Sequence, residues 1–272
     1  MWSAIMPLDG PDIDTSVAHP ARRYNYWLGG KDNFAADRES GDAIAAAFPG
    51  MVVAARENRK FLRRAVRYLA ADAGVRQFLD VGTGIPTEPN LHEVAQAVDP
   101  SARVVYVDND PIVLAHANAL LTGTDQGVTT YVDADVRDPA RILAEARATL
   151  DFDRPIGLTL LAIMHFVPDA DGAHALVAEL VDALAPGSYL ALSHATGDFI
   201  PPEIVAEMAK RDARSKSPVV DRDRAAFARF FSGLELVDPG IVTVARWRED
   251  TEEGDRPADE TVSLYGAVAR KP

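Results

Sequence analysis

The chain has 272 residues, with 28 basic and 41 acidic side chains and a net charge of −13 at pH 7. This balance argues against a duplex nucleic acid or an anionic membrane as partner, because either would need a basic face. The lack of cysteine excludes disulfides, cysteine-ligated zinc, iron–sulfur clusters and thiol nucleophiles. The opening MWSAIMPLDGPDIDTS is not typical of a signal peptide, and no run has the roughly 18 apolar residues of a membrane span. The sequence therefore predicts a soluble, cytoplasmic protein.

Charge and pattern both change near residue 75. Residues 1–75 carry 10 basic and 9 acidic side chains, whereas residues 76–272 carry 18 and 32. The first part has helical stretches and no convincing strand, and no long Gly/Ser or Pro linker follows it. We therefore predict an N-terminal helical segment, 1–74, packed on an α/β core, 75–272.

Within the core, short apolar segments alternate with helical ones. The first five strand candidates are residues 77–81, 103–107, 128–132, 156–164 and 189–193. Helices are predicted at residues 91–98, 111–121, 138–150, 173–184 and 203–214. This alternation predicts right-handed crossovers and a doubly wound, mostly parallel sheet. The last two candidates, 241–247 and 261–269, have only an acidic loop between them, which favours antiparallel pairing.

The strongest local signal is FLDVGTG at residues 78–84, where the first core strand ends. Ligands of open α/β sheets bind at this edge, and glycine lets the backbone approach them closely. A dinucleotide fingerprint needs Gly or Ala at position 87, but Thr87 stands there and Pro86 removes an amide donor. Asp80 also suits an ammonium group better than a phosphate. We therefore expect a cofactor without pyrophosphate, bound by Asp80, Gly82, Thr83 and Gly84.

Two further acids end the next two strands. Asp108 follows the second strand, where a carboxylate can accept hydrogen bonds from ribose hydroxyls. Asp135, within DADV after the third strand, can accept from an adenine amino group. Because the carboxyl ends of parallel strands share one edge, we expect both acids in the cleft that holds the glycine turn.

Together these motifs resemble the class I S-adenosylmethionine-dependent methyltransferases. FLDVGTG is similar to their first motif, YVDND to the acidic second-strand motif, DADV to the adenine-contacting motif and LAPGSYLALSH to the fifth-strand motif. The resemblance implies a Rossmann-like sheet of seven strands in the order 3-2-1-4-5-7-6, with the last strand antiparallel, and S-adenosyl-L-methionine as cofactor. The cofactor residues that it implies are Gly82 and Gly84 under the methionine part, Asp108 at the ribose, Asp135 and Val136 at the adenine, and also Asn109 and Ala162.

A narrower resemblance covers roughly residues 20–271. PARRYNYWLGGKDNF, ARENRKFLRRAVRYLA, FLDVGTGIPT and the WR near residue 247 are similar to a bacterial family of S-adenosylmethionine methyltransferases, formerly a domain of unknown function. This family pattern implies the cofactor rather than any particular acceptor.

The N-terminal segment suits a lid over the cofactor or substrate. Residues 20–28 predict a short helix with a proline near its start and Gly29-Gly30 at its end. The alternative is a helix that uses its Tyr and Trp side chains only to dock on the core. The residues expected to face the site are Tyr24, Tyr26, Gly30, Asp32 and Asn33.

The second helical stretch, 56–69, is amphipathic and locally basic. Its cationic face is either solvated or, near its start, presents Arg56 and Arg59 to a carboxylate of the cofactor's methionine or of an acidic substrate. RNA binding is not favoured, because beyond Tyr68 the helix lacks aromatic residues on which bases could stack.

Methyl transfer from a sulfonium is an in-line displacement, and a base is needed only if the acceptor must lose a proton. His165 after the fourth strand and His194 at the end of the fifth are the candidates, since both strand ends face the cleft. Each could instead only hydrogen-bond the backbone. The paired acids lack a third ligand, so we predict no metal site. The histidines to which we assign no role are His19, His92, His116 and His174.

We therefore expect a methyltransferase that acts on a small molecule at oxygen or nitrogen. Enzymes that methylate amino groups of nucleic acids or a glutamine amide carry Asn/Asp-Pro-Pro-Tyr/Phe after the fourth strand. AIMHFVPD stands there instead, so methylation of these substrates is not favoured. The alternatives are a non-catalytic S-adenosylmethionine-binding protein and, less favoured, a nicotinamide-dependent oxidoreductase.

Overall fold

The computed structural model describes residues 14–113, 115, 123–212, 218–248 and 255–272. Its strands are β1 Gln77–Val81, β2 Arg103–Asp108, β3 Val128–Asp133, β4 Gly157–Leu161, β5 Tyr189–Ala195, β6 Glu235–Leu236, β7 Val242–Thr243 and β8 Leu264–Arg270. Its helices are α1 Pro20–Trp27, α2 Ala35–Ala47, α3 Met51–Arg67, α4 Leu91–Val98, α5 Pro139–Ala146, α6 Ala173–Asp182, α7 Pro202–Asp212, α8 Arg224–Ala228 and α9 Asp259–Val262. The helix predicted at 111–121 lies mostly outside the described residues, as does His116.

The sheet has the order β3-β2-β1-β4-β5-β8-β6, and β7 also pairs with β8. Strands β1 to β5 are parallel, and β8 is antiparallel to β5. Both β6 and β7 pair antiparallel with β8, opposite its end and its start respectively, so they lie end to end along one edge. With this interrupted edge counted as one strand, the predicted order 3-2-1-4-5-7-6 is confirmed, and so is the antiparallel last strand.

The strand predicted at 241–247 is much shorter in the structure, where Val242–Thr243 pairs with β8 and the N–H of Val244 donates to the carbonyl of Leu264 at 2.9 Å. The following residues turn toward α3 instead. Arg64 donates through Nε to the carbonyl of Trp247 at 2.8 Å and through Nη2 to that of Val244 at 2.6 Å. The Trp247 ring is fully buried and meets Phe61 edge to face at 5.4 Å. Carbonyls that bind a buried guanidinium cannot continue a sheet ladder, so the segment leaves the sheet.

The other predicted boundaries differ by smaller amounts. Helix α9 occupies the start of the strand predicted at 261–269, which therefore begins at Leu264. Helix α2 was not predicted, and α3 begins at Met51 rather than at residue 56. The predicted strand 156–164 ends at Leu161, because a short 3-10 turn, Met164–Phe166, follows it.

Alternate residues of the strands feed two hydrophobic layers, as expected for a sheet covered on both faces. The layer against α5 and α6 contains Leu79, Val105, Leu158, Leu190, Ile142, Val177 and Leu180. The layer against α3 and α4 contains Phe78, Val104, Tyr106, Ala191, Phe61, Leu62, Ala65, Leu69 and Leu91. Asp80 shares the face of Phe78 by this alternation, which places its carboxylate beneath α3.

The N-terminal segment divides into two structural parts. Helix α3 belongs to the core, because its apolar side packs on the sheet. Helices α1 and α2 line the space above the carboxyl ends of the strands. None of the described helices is long and apolar enough to cross a membrane.

Candidate cofactor and acceptor site

A cavity of about 1000 Å³ lies at the carboxyl ends of β1, β2, β4 and β5. It is covered by α1, α2 and the start of α3, and by residues near 200–208, 218–221 and 262–264. The strands beside β1 lead in opposite directions along the sheet, to β2 on one side and β4 on the other. This is the switch point at which open α/β sheets bind their ligands.

The glycine turn after β1 forms part of the cavity wall. Gly82 and Gly84 have φ values of +76° and +68°, in the left-handed region that favours glycine. A Cβ built on Gly82 would lie 2.7 Å from the Ile163 side chain, whereas a Cβ on Gly84 would meet nothing within 4 Å. Thr83 closes the turn by donating its hydroxyl to the carbonyl of Asp80 at 3.0 Å. The backbone at Gly84 therefore lies open to a ligand.

Asp80 places a buried carboxyl in the cavity wall. It is only 5% exposed, and Thr159 donates its hydroxyl to Oδ1 at 2.5 Å. Burial raises the pKa of Asp80 to about 6, although the Thr159 hydrogen bond and the positive charge of Arg59 oppose this rise. A cation placed beside this carboxylate would lower its pKa again.

Asp108, at the end of β2, is 8% exposed and lines the same cavity. Its Oδ2 accepts from the N–H of Gly84 at 2.7 Å, and its Oδ1 accepts from the N–H of Asp110 at 3.0 Å. Burial still raises the pKa of Asp108, since it outweighs these two hydrogen bonds. Each carboxylate oxygen keeps a second lone pair with which it can accept from a ligand hydroxyl.

Asp135 is joined to the end of β2 by a side-chain hydrogen bond. Asn109 donates through Nδ2 to Asp135 Oδ2 at 2.8 Å, and the N–H of Arg137 donates to Oδ1 at 2.8 Å. Val136 is buried beside it and lines the cavity. The ends of β2 and β3 are therefore held together at one side of the cavity, with both predicted acids facing it.

A chain of hydrogen bonds runs from α1 through α3 to the ends of β4 and β5. Asn58 donates through Nδ2 to the Tyr24 hydroxyl at 3.1 Å, and the Tyr24 hydroxyl donates to the carbonyl of Ala55 at 3.0 Å. Ser193 donates to Asn58 Oδ1 at 2.7 Å and accepts from the N–H of Ala162 at 2.9 Å. Ala162 has φ +55°, a conformation that clusters at ligand sites in non-glycine residues.

His165 lines the cavity, and its Nδ1 is buried without a hydrogen-bond partner. Burial, reinforced by nearby positive charges that include Arg222 and Arg23, holds the pKa of His165 well below 6.5. The imidazole is therefore neutral near pH 7, and one of its ring nitrogens can accept a proton or a hydrogen bond.

His194 is fully buried and is not among the residues that line the cavity. Its Nδ1 lies 2.7 Å from the carbonyl oxygen of Ala195, and its Nε2 lies 2.5 Å from Nη1 of Arg222. Because Arg222 can only donate, Nε2 accepts and Nδ1 carries the proton. Burial lowers the pKa of His194 to about 3. Both ring nitrogens are thus engaged within the protein.

Several predicted N-terminal residues lie outside the cavity wall. Tyr26, Gly30, Asp32 and Asn33 surround a turn organised by Asn25, whose Oδ1 accepts from the N–H of Asp32 and the Nδ2 of Asn33. Gly30 is required there, because a Cβ on it would lie 2.3 Å from Asn25 Nδ2. The Tyr26 hydroxyl donates to Asp42 at 2.7 Å. Arg56 is exposed, whereas Tyr24 and Arg59 do line the cavity.

Arg59 joins α3 to the loop after the glycine turn. It donates through Nη2 to the carbonyls of Thr87 and Pro89, the latter at 2.7 Å. Its positive charge also acts on Asp80. Of the two arginines predicted to hold a carboxylate, only Arg59 is therefore in position to do so.

The sequence interpretation missed three polar or aromatic cavity residues at α1, namely the N-cap residue His19 and, within the helix, Arg23 and Trp27. They are spaced four residues apart, which places them on one face of the helix, and this spacing could have revealed them. Nδ1 of His19 lies 2.8 Å from Oδ2 of Asp110, so the start of α1 contacts the loop after β2. Asn58 was also missed, although it precedes the predicted Arg59.

Much of the remaining wall is apolar. Apolar side chains come from α1, α2 and α3, from the residues after β4, and from the parts of the chain around α7 and the start of β8. The large ones include Trp27, Ile44, Phe48, Met51, Phe166, Ile200, Met208 and Leu264. The cavity therefore combines a strand edge rich in carboxylates and glycines with apolar walls, a composition typical of sites for small organic molecules.

The donor set fits S-adenosyl-L-methionine. Asp80 offers a buried carboxylate to an ammonium group, Arg59 a cation to a carboxylate, and Asp108 lone pairs to ribose hydroxyls. The open space at Gly84 removes the steric barrier that a side chain would impose. Among the described residues, no group of three or more His, Asp and Glu side chains could hold a metal ion.

Comparison with known proteins agrees with this geometry. Residues 8–272 match a family described as S-adenosyl methyltransferase. The crystal structure of a DUF574 family protein from Streptomyces avermitilis is 52% identical, with a TM-score of 0.91 over 95% of this chain and 99% of that one. A proposed methyltransferase from Thermobifida fusca is 40% identical, with a TM-score of 0.87 over 98% and 99%. No curated protein sequence matches. The chain belongs to the S-adenosyl methyltransferase family.

Proposed function

We propose that the cavity holds S-adenosyl-L-methionine and a small, largely apolar acceptor together, and that the acceptor is methylated at oxygen or nitrogen. One observation carries this proposal. The glycines and acids of three neighbouring strand ends share a single cavity with His165 and the apolar side chains of α1, α2 and α7. A cytoplasmic location stays a prediction from the sequence.

In this proposal, Asp80 binds the ammonium group of the cofactor and Arg59 its carboxylate. The turn Gly82-Thr83-Gly84 passes beneath the methionine part, and Asp108 holds the ribose. Asn109, Asp135, Val136 and Ala162 complete the set, with the Asn109–Asp135 hydrogen bond bringing two strand ends to the adenine. The support is their shared position in the cavity wall.

The bound cofactor supplies a methyl group on a sulfonium, so the chain's own task is to position the acceptor and to handle its proton. His165 suits the second task, because it lines the cavity and its imidazole is neutral near pH 7. His194 does not, because both of its ring nitrogens are engaged and it does not line the cavity. We therefore retain His165 as the base and assign His194 to packing beneath it, where the two ring centroids lie 5.7 Å apart.

We also propose that part of the N-terminal segment, residues 1–74, acts as a lid over the core. Helix α3 covers the sheet, so the lid role falls to α1 and α2, whose residues line the cavity. The Tyr24–Asn58 and His19–Asp110 contacts hold this lid over the site.

Isothermal titration with S-adenosyl-L-methionine and its demethylated product tests the cofactor assignment. The Asp108→Ala variant should bind both weakly, whereas Asp182→Ala, which alters an exposed acid at the end of α6, should bind as the wild type does. A radiolabelled methyl donor is then offered with phenols, carboxylic acids and amines. Tight binding without any turnover would favour a non-catalytic binding protein. Saturable binding of NADH, without binding of S-adenosyl-L-methionine, would refute the proposal.

A further inference from the structure

We infer that the acceptor carries an acidic hydroxyl group, phenolic or enolic, which binds between Arg23 and His165, and that the product is a methyl ether. This inference rests on the proposed function and names its substrate class. Two observations carry it: the buried Arg23 lines the same cavity as His165, and the buried Arg222 binds the backbone that flanks His165.

Arg23 brings a cation into the wall of the cavity. It lies on the face of α1 that also carries His19 and Trp27, and it is only 6% exposed. Its Nη1 lies 3.3 Å from the Ser40 hydroxyl of α2, to which it donates, and this contact orients the guanidinium. An anion that enters so sheltered a site is attracted more strongly than in water, because the effective dielectric constant is lower.

Arg222 brings a second cation close to the backbone that flanks His165. It is 3% exposed and donates to the carbonyls of Met164 at 3.1 Å and Val167 at 2.8 Å, which flank His165 in the chain. Arg222 also pairs with Asp169 at 2.7 Å, but the Asp169 side chain is 58% exposed, so water screens its charge. The guanidinium remains the buried member of this pair.

The two cations select among acceptor groups. An ammonium group beside His165 would be repelled, whereas a phenolate or enolate would be stabilised, which lowers the pKa of the acceptor hydroxyl. Asp221 also lines the cavity, but this residue is exposed, so water screens its negative charge. The apolar side chains around the site suit the ring or chain that carries the hydroxyl.

The step balances without a further reactant. The hydroxyl proton passes to the neutral imidazole of His165, which lines the cavity. The acceptor oxygen forms its new bond with the methyl carbon, and the carbon–sulfur bond breaks with its electron pair going to sulfur. Arg23 stabilises the negative charge that develops on the oxygen before the new bond is complete. The products are the methyl ether, the neutral thioether and a proton, which His165 passes on to solvent because burial and the nearby arginines disfavour its charged form.

The test uses 4-nitrophenol and 4-nitrobenzylamine as probes, added to the protein saturated with S-adenosylhomocysteine so that no turnover occurs. Because phenolate absorption is distinct, the pH at which bound 4-nitrophenol ionises can be read directly. We expect this pH to fall on binding by about one unit, and the amine to bind at least about tenfold more weakly than the phenol, or about 1.4 kcal/mol.

Variants of Arg23 separate charge from folding. Arg23→Gln should abolish both effects, and Arg23→Lys should retain part of each because it keeps the charge. Arg38→Gln, at an exposed arginine of α2, is the matched control and should retain both. Tighter binding of the amine, an unchanged ionisation of bound phenol, or no binding of either probe would overturn the inference. Continued binding of S-adenosylhomocysteine in those cases would leave the proposed function standing.

Discussion

Replacing Asp80 with asparagine should stabilise the cofactor-free protein and weaken cofactor binding. The wild-type carboxyl is 5% exposed, and burial raises its pKa from 3.8 to about 6. An acid with a raised pKa prefers its neutral form in the folded state, so the free energy of unfolding falls as pH rises from about 4 to about 6. Asparagine has a similar shape, is neutral at every pH, and its Oδ1 can still accept from the Thr159 hydroxyl.

The magnitude follows from the pKa. A rise of about two pH units corresponds to about 3 kcal/mol, at about 1.4 kcal/mol for each unit. Asp80→Asn should therefore raise the free energy of unfolding by up to about 3 kcal/mol at pH 8, and by much less at pH 4, where wild-type Asp80 is already neutral. The same ionised carboxylate attracts the ammonium group of the cofactor, so wild-type affinity should increase as pH rises through 6.

Urea denaturation of both proteins near pH 8 and near pH 4, together with titration of S-adenosyl-L-methionine from pH 5 to pH 8, measures these effects. Asp99→Asn is the control, because hydrogen bonds from Ser101 lower the pKa of Asp99, so this variant should destabilise the protein at pH 8. The reasoning is refuted if Asp80→Asn destabilises the cofactor-free protein at pH 8, or if it binds the cofactor as tightly as the wild type does.

Three further predictions concern the cavity and the turn after β7. Asp108→Ala should weaken cofactor binding by about 1–3 kcal/mol in titration calorimetry, because it removes the acceptor for the ribose; unchanged affinity would remove Asp108 from the site. Asn58→Ala should lower the free energy of unfolding by about 1–3 kcal/mol, since it breaks the contacts to Tyr24 and Ser193, and should leave the α1 end more open to proteolysis; equal protection in both proteins would contradict this. Arg64→Met should lower the free energy of unfolding by about 2–4 kcal/mol, because two buried carbonyls lose their donor. The control is Arg67→Ala, at an exposed position of the same helix, which should change the free energy of unfolding by less than about 0.5 kcal/mol. Similar urea midpoints for the two variants would be inconsistent with the structural role of Arg64.

The carboxyl edge of the sheet was predictable from local sequence. The pattern of short apolar strands and helices fixes a parallel sheet, and parallel strands present their ends at one edge. FLDVGTG, YVDND and DADV each follow a strand, so Gly82, Gly84, Asp108 and Asp135 had to share a cleft wherever the helices packed. The position of each of these residues follows from its place within a few residues of a strand end.

The covering layer and the surroundings of the two histidines depend on contacts between distant residues. His165 follows a strand and His194 lies at the end of one, so the sequence does not distinguish them. The folded chain does, because Arg222 binds Nε2 of His194. Trp247 left the predicted strand because Arg64, on α3, takes its carbonyl. A strand-end motif keeps its place because the sheet holds it, whereas burial and charge at a side chain are set by whichever remote segment packs against it, and only the folded chain decides that.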